Sequence, residues 1–256
     1  GDQWDTVMNY DAFMEPLTWF LTGMEKHSDD FRQDMLNNAD YFWGAMRHHQ
    51  ASFSMPSLQI SMNELSNHDH SRFLTRTNHK VGRSNTMGPH AAEEGVDKAV
   101  MREAVIMQMT WIGAPAIYYG DEAGVCGFTD PDNRRVYPWG HEDMEMLLFH
   151  KAMIRIHKNC PELCTGSLKY VDSAYGFLAY GRFDASHKTL VLINNNYSVL
   201  EKEISVWELG IPKDAVLIRQ IYSDRQGFNV EPEKIRVTGG KITLQMPQTS
   251  AMVLRL

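Results

Sequence analysis

The pattern of the chain changes once, near Pro161. Before it, short apolar runs alternate with long segments whose apolar residues recur at helical spacing; after it, no helix-period stretch of that length returns. The first pattern is that of parallel strand-helix units, the second that of short antiparallel strands between Gly, Asp and Asn turns. The expected fold class is therefore α/β followed by all-β, divided into residues 1–159 and 160–256.

In the first part Thr6-Val7-Met8 reads as a short strand. Ser28, followed by Asp29 and Asp30, offers a cap and an acidic first turn, and Phe31, Met35, Phe42 and Met46 then fall at helical spacing, predicting a helix that ends before Ser52. The next strand is placed in Gln59 to Leu65, and a second helix in Asp97 to Trp111, where Val100, Ala104, Met107 and Trp111 share a face. Ala114 to Tyr119 reads as a third, buried strand. A last helix over Glu142 to Lys158 puts Met146, Phe149, Met153 and Ile156 on one side, and Pro161 marks its end.

In the second part Phe177 to Phe183, Thr189 to Ile193 and Ala251 to Leu256 are candidate strands. Ile235 to Thr238 and Lys241 to Met246, joined by Gly239-Gly240, predict a hairpin, because two glycines accept the positive φ angles of a tight primed turn. Ile242, Leu244 and Met246 alternate inward. Five or more strands suffice for a small antiparallel sandwich.

Composition narrows the function. The 256 residues carry 25 Lys and Arg against 32 Asp and Glu, a net charge of −7, which argues against nucleic acid as a partner. Apolar stretches such as Trp111 to Tyr119 fall well short of the roughly 18 to 20 residues that span a bilayer, so no membrane partner is expected. Cys126, Cys160 and Cys164 cannot all pair and make no zinc framework, which points to a reducing, cytoplasmic compartment, and Cys160 and Cys164 read as two small buried thiols near a domain junction. Gly1-Asp2-Gln3-Trp4 is neither a start methionine nor a signal sequence, so the chain is expected to be cut from something longer.

The densest polar cluster is Asn67-His68-Asp69-His70, directly after a predicted strand, at the end where ligands bind in parallel architectures. A carboxylate beside an imidazole can bind sugar hydroxyls, hold a metal or orient a base. The cluster can equally be an Asx-type turn with His68 and His70 merely solvated.

The longer run Asn63-Glu64-Leu65-Ser66-Asn67-His68-Asp69-His70-Ser71-Arg72-Phe73 resembles the fourth conserved region of the alpha-amylase family. Gly1 to Tyr10 resembles the sixth barrel strand and its approach in neopullulanase and cyclomaltodextrinase relatives, and Gly113 to Gly124 resembles the eighth strand. Asp130-Pro131-Asp132-Asn133-Arg134-Arg135 resembles a loop of the neopullulanase branch. The resemblance implies a partial (β/α)8 TIM barrel, strands six to eight with their helices, followed by a C-terminal β-sandwich. It also implies a retaining glycosidase acting on α-linked glucans, in which one carboxylate attacks the anomeric carbon and a second protonates the leaving oxygen.

By position Asp69 is then the third carboxylate, which stabilises the transition state, and His68 hydrogen-bonds the same glucose unit. Asp130 and Arg134 match positions that contact a more distant sugar, the alternative being a salt bridge that holds the loop. Arg72 either orients the Asp69 carboxylate or holds its loop, and the second is preferred. The nucleophile and acid of the family lie on strands upstream of the segment that Gly1 to Trp4 resembles, and Glu64, Asp121 and Glu122 occupy positions with no such role. The chain alone is therefore expected to be inactive. Its expected partners are an α-glucan or maltooligosaccharide and either the missing N-terminal half of the barrel or a second copy. The rival reading is a carbohydrate-binding or scaffold protein without chemistry.

No cofactor and no metal are called for, since the calcium sites of the wider family draw on parts not present here. His48-His49 near a helix end read as carbonyl-capping or solvated. Trp43 and Trp111 read as core, and Trp139 as the tryptophan best placed to stack on a sugar.

Overall fold

The computed structural model describes residues 4–256, so Gly1 to Gln3 of the first resembling segment lie outside the described residues. Val7 and Met8 run beside Met62 in parallel: Met62 donates its N–H to Val7 O at 3.1 Å, and Asn9 donates to Met62 O at 2.9 Å. A wide helical turn, Tyr10–Met14, then leads into helix α1, Glu15–Thr22. Sequence reading missed α1, although Pro16 in its first turn and Gly23 just past its end, at φ 65°, are the usual start and stop signals.

The helix expected from Ser28 is shorter than predicted. Ser28 lies in the left-handed region, Phe31 and Met35 precede the helix, and α2 is Ala39–Gln50. Asn38 caps it by accepting the N–H of Tyr41 at 2.9 Å, while Asn37 before it is also left-handed and tied to Asn195 at 2.7 Å. Two polar residues that bond the backbone and the sheet domain break a periodicity that the apolar residues alone would continue. Phe42 and Met46 are buried as expected.

Two short helices, α3 (Met55–Gln59) and, after strand β1 (Met62–Glu64), α4 (Phe73–Arg76), precede α5 (Ser84–Met87). The predicted strand from Gln59 is thus trimmed, because Gln59 closes a helix that Ser54 caps. Helix α6, Lys98–Thr110, starts at its predicted cap: Asp97 accepts the N–H of Ala99 at 2.9 Å. Every α6 residue after Lys98 is buried, so this helix lies inside the molecule and not on its surface. Strand β2, Ala114–Ala116, pairs in parallel with β1 in the register Met62 to Ala114. It is shorter and more exposed than predicted: Ala114, Ile117 and Tyr119 are exposed, since no strand covers its other edge among the described residues. Helices α7 (Met144–Asn159) and α8 (Pro161–Thr165) close this part, so Pro161 ends one helix by beginning another.

The rest is antiparallel sheet. Strands β3 (Ser167–Ala174), β4 (Phe177–Phe183), β5 (Lys188–Asn194), β6 (Leu200–Ser205), β7 (Val216–Asp224), β8 (Gly227–Asn229), β9 (Lys234–Arg236), β10 (Lys241–Met246) and β11 (Ser250–Arg255) follow in order. One sheet has the order β3-β4-β5-β11-β7-β8, with β9 also on β7, and a smaller sheet pairs β10 with β6. The expected hairpin divides between them. Gly239 and Gly240 make the tight turn, at φ 58° and 82°, but only Thr238 and Lys241 pair across it. β9 joins β7 and β10 joins β6, because the turn hands the chain from one sheet to the other.

The large sheet is covered on both faces. Phe177, Ala179, Leu190, Leu192, Met252 and Leu254 face Ile204, Ile242 and Met246 of the small sheet. Leu178, Tyr180, Val191, Ile193, Ala251 and Val253 pack instead into the core that holds α1, α2, α6 and α7. This explains why β4, β5 and β11 read as unbroken apolar runs. The Tyr180 and Thr110 hydroxyls meet across the seam at 2.6 Å.

Candidate functional site

The site is built on Asn67, which follows β1 and is buried. Its Oδ1 accepts the N–H groups of Asp69 at 2.9 Å and His70 at 3.0 Å, and its Nδ2 donates to Tyr10 Oη at 2.8 Å and Glu64 Oε1 at 2.6 Å. The Asx turn weighed as an alternative is therefore present, and it is also the device that projects the next two residues. His68 and Asp69 stand side by side at the carboxyl end of β1, with side chains 52% and 54% exposed and Nε2 3.4 Å from Oδ1. That leaves the carboxylate and one imidazole face open to a ligand.

A second loop fixes the first. Asp69 O accepts from the Thr129 hydroxyl and from the N–H of Asp130 at 3.4 Å, and Thr129 Oγ1 is also 2.8 Å from His27 Nδ1. Asn133 Nδ2 donates to Asn67 O at 3.1 Å and His70 O at 2.7 Å. Sequence reading did not single out Thr129, Asn133, Tyr10 or His27. The first two lie in or beside the Asp130 to Arg135 run, which was the available signal.

Asp130 and Arg134 are brought beside this loop, but they pair with each other, one turn apart and half-exposed. Their ion pair is the loop-holding alternative stated for them. Asp69 is close enough to add to the field that favours the charged form of Arg134, after the hydrogen bond Arg134 donates to Asp130 and the charge of Asp130.

Arg72 is fully buried and does hold the loop. Its Nε donates to Asn133 O at 2.9 Å and its Nη1 to Tyr119 O at 2.6 Å and Asp121 Oδ1 at 3.0 Å, with the guanidinium 4.3 Å from the Tyr118 ring centre. Burial raises the pKa of Asp121, against the pull of Arg72.

His70 departs from expectation, being buried and not solvated. It lies edge-on to Tyr10 and His27, each ring centroid 4.8 Å away, and its Nδ1 has no partner. Burial, with the charge of Arg76 behind it, drives its pKa down to about 3, so it is neutral at physiological pH. A metal held by His68, Asp69 and His70 together would need that inward ring to turn out. Burial likewise holds Glu64 above the ordinary carboxylate range, and burial with the charges of Glu64 and Asp69 pushes Tyr10 up to about 12.

Among the described residues, three potential metal ligands come together at Glu162, Asp184 and His187, where Arg255 already neutralises Glu162 at 2.7 Å. Trp43 and Trp111 are core as expected, with ring centroids 5.6 Å apart, and Trp139 is exposed. Cys126 and Cys160 are buried free thiols that burial pushes up to about 11, whereas Cys164, expected to be buried, is half-buried. No helix among the described residues is long and apolar enough to cross a membrane.

Residues 1–166 match the sequence model of the alpha-amylase catalytic domain, and the chain belongs to that family. It is 31% identical to neopullulanase 2 of Thermoactinomyces vulgaris over 76% of its length, covering 29% of that enzyme. It is 28% identical over 99% of its length to the amylopullulanase of Thermoanaerobacterium thermosulfurigenes, of which it covers 14%. The debranching enzyme of Nostoc punctiforme shares its fold, with a TM-score of 0.76 at 22% identity over 99% of this chain and 48% of the enzyme. The chain thus spans less than a third of these two curated relatives and about half of the solved structure.

Proposed function

We propose that the chain is the C-terminal part of a retaining glycoside hydrolase acting on α-linked glucans, of the neopullulanase and cyclomaltodextrinase type. In this reading residues 1–159 supply the last three strand-helix units of a (β/α)8 barrel and residues 160–256 its C-terminal sandwich. The observation that carries it is the projection of Asp69 beside His68 at the carboxyl end of a parallel strand, in a chain of this family.

The open carboxylate of Asp69 stabilises the positive charge that develops on the sugar ring as the glycosidic bond breaks, while an ionised carboxylate elsewhere attacks the anomeric carbon. His68 donates a hydrogen bond to hydroxyls of the same unit, and Asp130 and Arg134 contact a sugar further along. The nucleophile and the acid come from strands outside this chain, which would continue the sheet from its Val7–Met8 side, while the first strand of the barrel would close on the uncovered edge of β2. A second copy occupying that edge is the alternative for the partner, and it would supply neither group.

The test is kinetic. Nitrophenyl maltooligosaccharide should be turned over by a longer polypeptide that carries the missing strands and not by the 256-residue chain alone. Asp69→Asn in that polypeptide should lower kcat by about 10²–10³-fold. Turnover by the chain alone, or full activity of Asp69→Asn, overturns the reading; saturable binding of glucan without any turnover by the longer polypeptide favours a binding module.

A further inference from the structure

The seam between helix α7 and the large sheet holds a cleft that the proposed reaction does not use. Its volume is about 280 Å³, near the lower bound of roughly 300 Å³ for small-molecule sites. Successive turns of α7 supply Ala152, Arg155 and Ile156 to one wall; Gln220 of β7, Val230 after β8 and Arg255 of β11 supply the other. Both walls belong to this chain, so the cleft needs no residue from the missing strands.

Among the described residues no carboxylate lines it, in a chain whose net charge is −7. Its two guanidinium groups are differently placed. Arg255 is committed through Nε and Nη2, at 2.7 and 3.2 Å, to Glu162, which is buried and does not line the cleft. Arg155 is exposed and belongs to none of the ion pairs among the described residues. One positive charge is thus left over at the cleft, beside the apolar side chains of Ala152, Ile156 and Val230, which lower the local dielectric and strengthen its pull on an anion. A single guanidinium fork matches the two oxygens of a carboxylate. The apolar walls disfavour a fully hydrated ion and favour a hydrocarbon body, which leaves water on entering.

We infer that this cleft binds a small monocarboxylate with an apolar body, such as an aryl- or alkyl-substituted propionate, with Arg155 pairing the carboxylate and the hydrocarbon lying between Ile156 and Val230. A molecule held there touches α7 and the sheet at once and should brace the joint between them. The inference is independent of the reaction proposed above, since it uses none of the residues assigned to that reaction.

The test is titration of the 256-residue chain, and of the longer polypeptide that carries it, with 3-phenylpropionate, by calorimetry and by thermal melts. Binding should saturate and should raise the melting temperature as the ligand concentration rises. The amide 3-phenylpropanamide, which keeps the shape and lacks the charge, should bind about tenfold more weakly or worse. Arg155→Gln should weaken binding of the acid by about tenfold. Lys151→Gln removes an exposed cation one turn earlier on α7 that does not line the cleft, and it should leave binding unchanged. No saturable binding by either polypeptide, equal affinity for acid and amide, or binding that survives Arg155→Gln overturns the inference. Tighter binding of inorganic phosphate than of 3-phenylpropionate overturns it too, because the apolar walls would then contribute nothing.

Discussion

Asn67 Oδ1 holds the backbone N–H of Asp69 at 2.9 Å, so a buried amide fixes the direction in which an exposed carboxylate points. The same amide satisfies Glu64 and Tyr10 through its nitrogen. Asn67→Ala removes an acceptor from two N–H groups and leaves Glu64 without its donor, and should cost about 1–3 kcal/mol of stability. In an active longer polypeptide it should reduce kcat more than it raises KM, because on the proposed reading the carboxylate it misplaces acts in the transition state. Thermal melts and steady-state kinetics check both parts; an unchanged kcat in a folded variant would refute the positioning role.

Glu162 is buried against Arg255, whose Nε and Nη2 lie 2.7 and 3.2 Å from its two oxygens, and against the Thr189 hydroxyl at 2.6 Å. Removing one partner strands a buried charge, so Arg255→Met should destabilise by about 3–5 kcal/mol, and Glu162→Gln added to it should recover part of the loss. Denaturant unfolding of the two single variants and the double variant measures this coupling. The desolvation of burial opposes ionisation of Glu162, yet Arg255 and Thr189 hold its pKa below the ordinary value. A depressed carboxylate contributes stability above its unfolded pKa and loses it as pH falls through the folded one. The melting temperature should accordingly fall more steeply on acidification in the parent than in Glu162→Gln.

His70 shifts stability in the same direction as Glu162. Its folded pKa of about 3 lies below the unfolded value, so the unfolded chain binds the extra proton between about pH 6.5 and 3. Stability should fall as pH falls through that window, by up to about 1.4 kcal/mol per pH unit from this group. His70→Phe should flatten that slope without removing it, because burial also lowers the pKa of His79, His150 and His157. Melts of parent and variant between pH 7 and 4 decide the matter, and identical slopes would count against a neutral His70.

Glu103 lies on the enclosed helix α6 with both carboxyl oxygens buried and without a partner. Burial raises its pKa well above the ordinary value, so the native state holds a proton that the unfolded chain releases. Stability from this group is present below the unfolded pKa and declines as pH rises toward the folded one. Glu103→Met should therefore stabilise the protein at neutral pH by about 1–3 kcal/mol, since it removes an unsatisfied polar group at similar volume. A lower denaturation midpoint in the variant would contradict this.

The sequence disclosed what depends on local chemistry. Helices α6 and α7 began and ended within two residues of expectation, since Asp97 and Asp143 cap them and their apolar period is unbroken. The start of α2 was misread because Phe31 and Met35 keep the helical spacing while Asn37 and Asn38 turn the backbone away. The Gly239-Gly240 turn was legible, but the sheets its two arms join depend on Val216 and Ser205 at distant positions in the chain. At the site, motif resemblance singled out His68 and Asp69, which the fold sets side by side. Thr129, Asn133 and His27 reach them only through the fold, and the isolation of His70 from solvent could not be read from its neighbours in sequence.

The sheet that carries β4, β5 and β11 is a party wall, furnished on both sides. A protease or a gene truncation that parted the strands from the helices would leave each half with a bare apolar face. Heat and denaturant should meet one cooperative body, giving a single calorimetric transition in which the surroundings of Tyr180 and of Trp111 melt together.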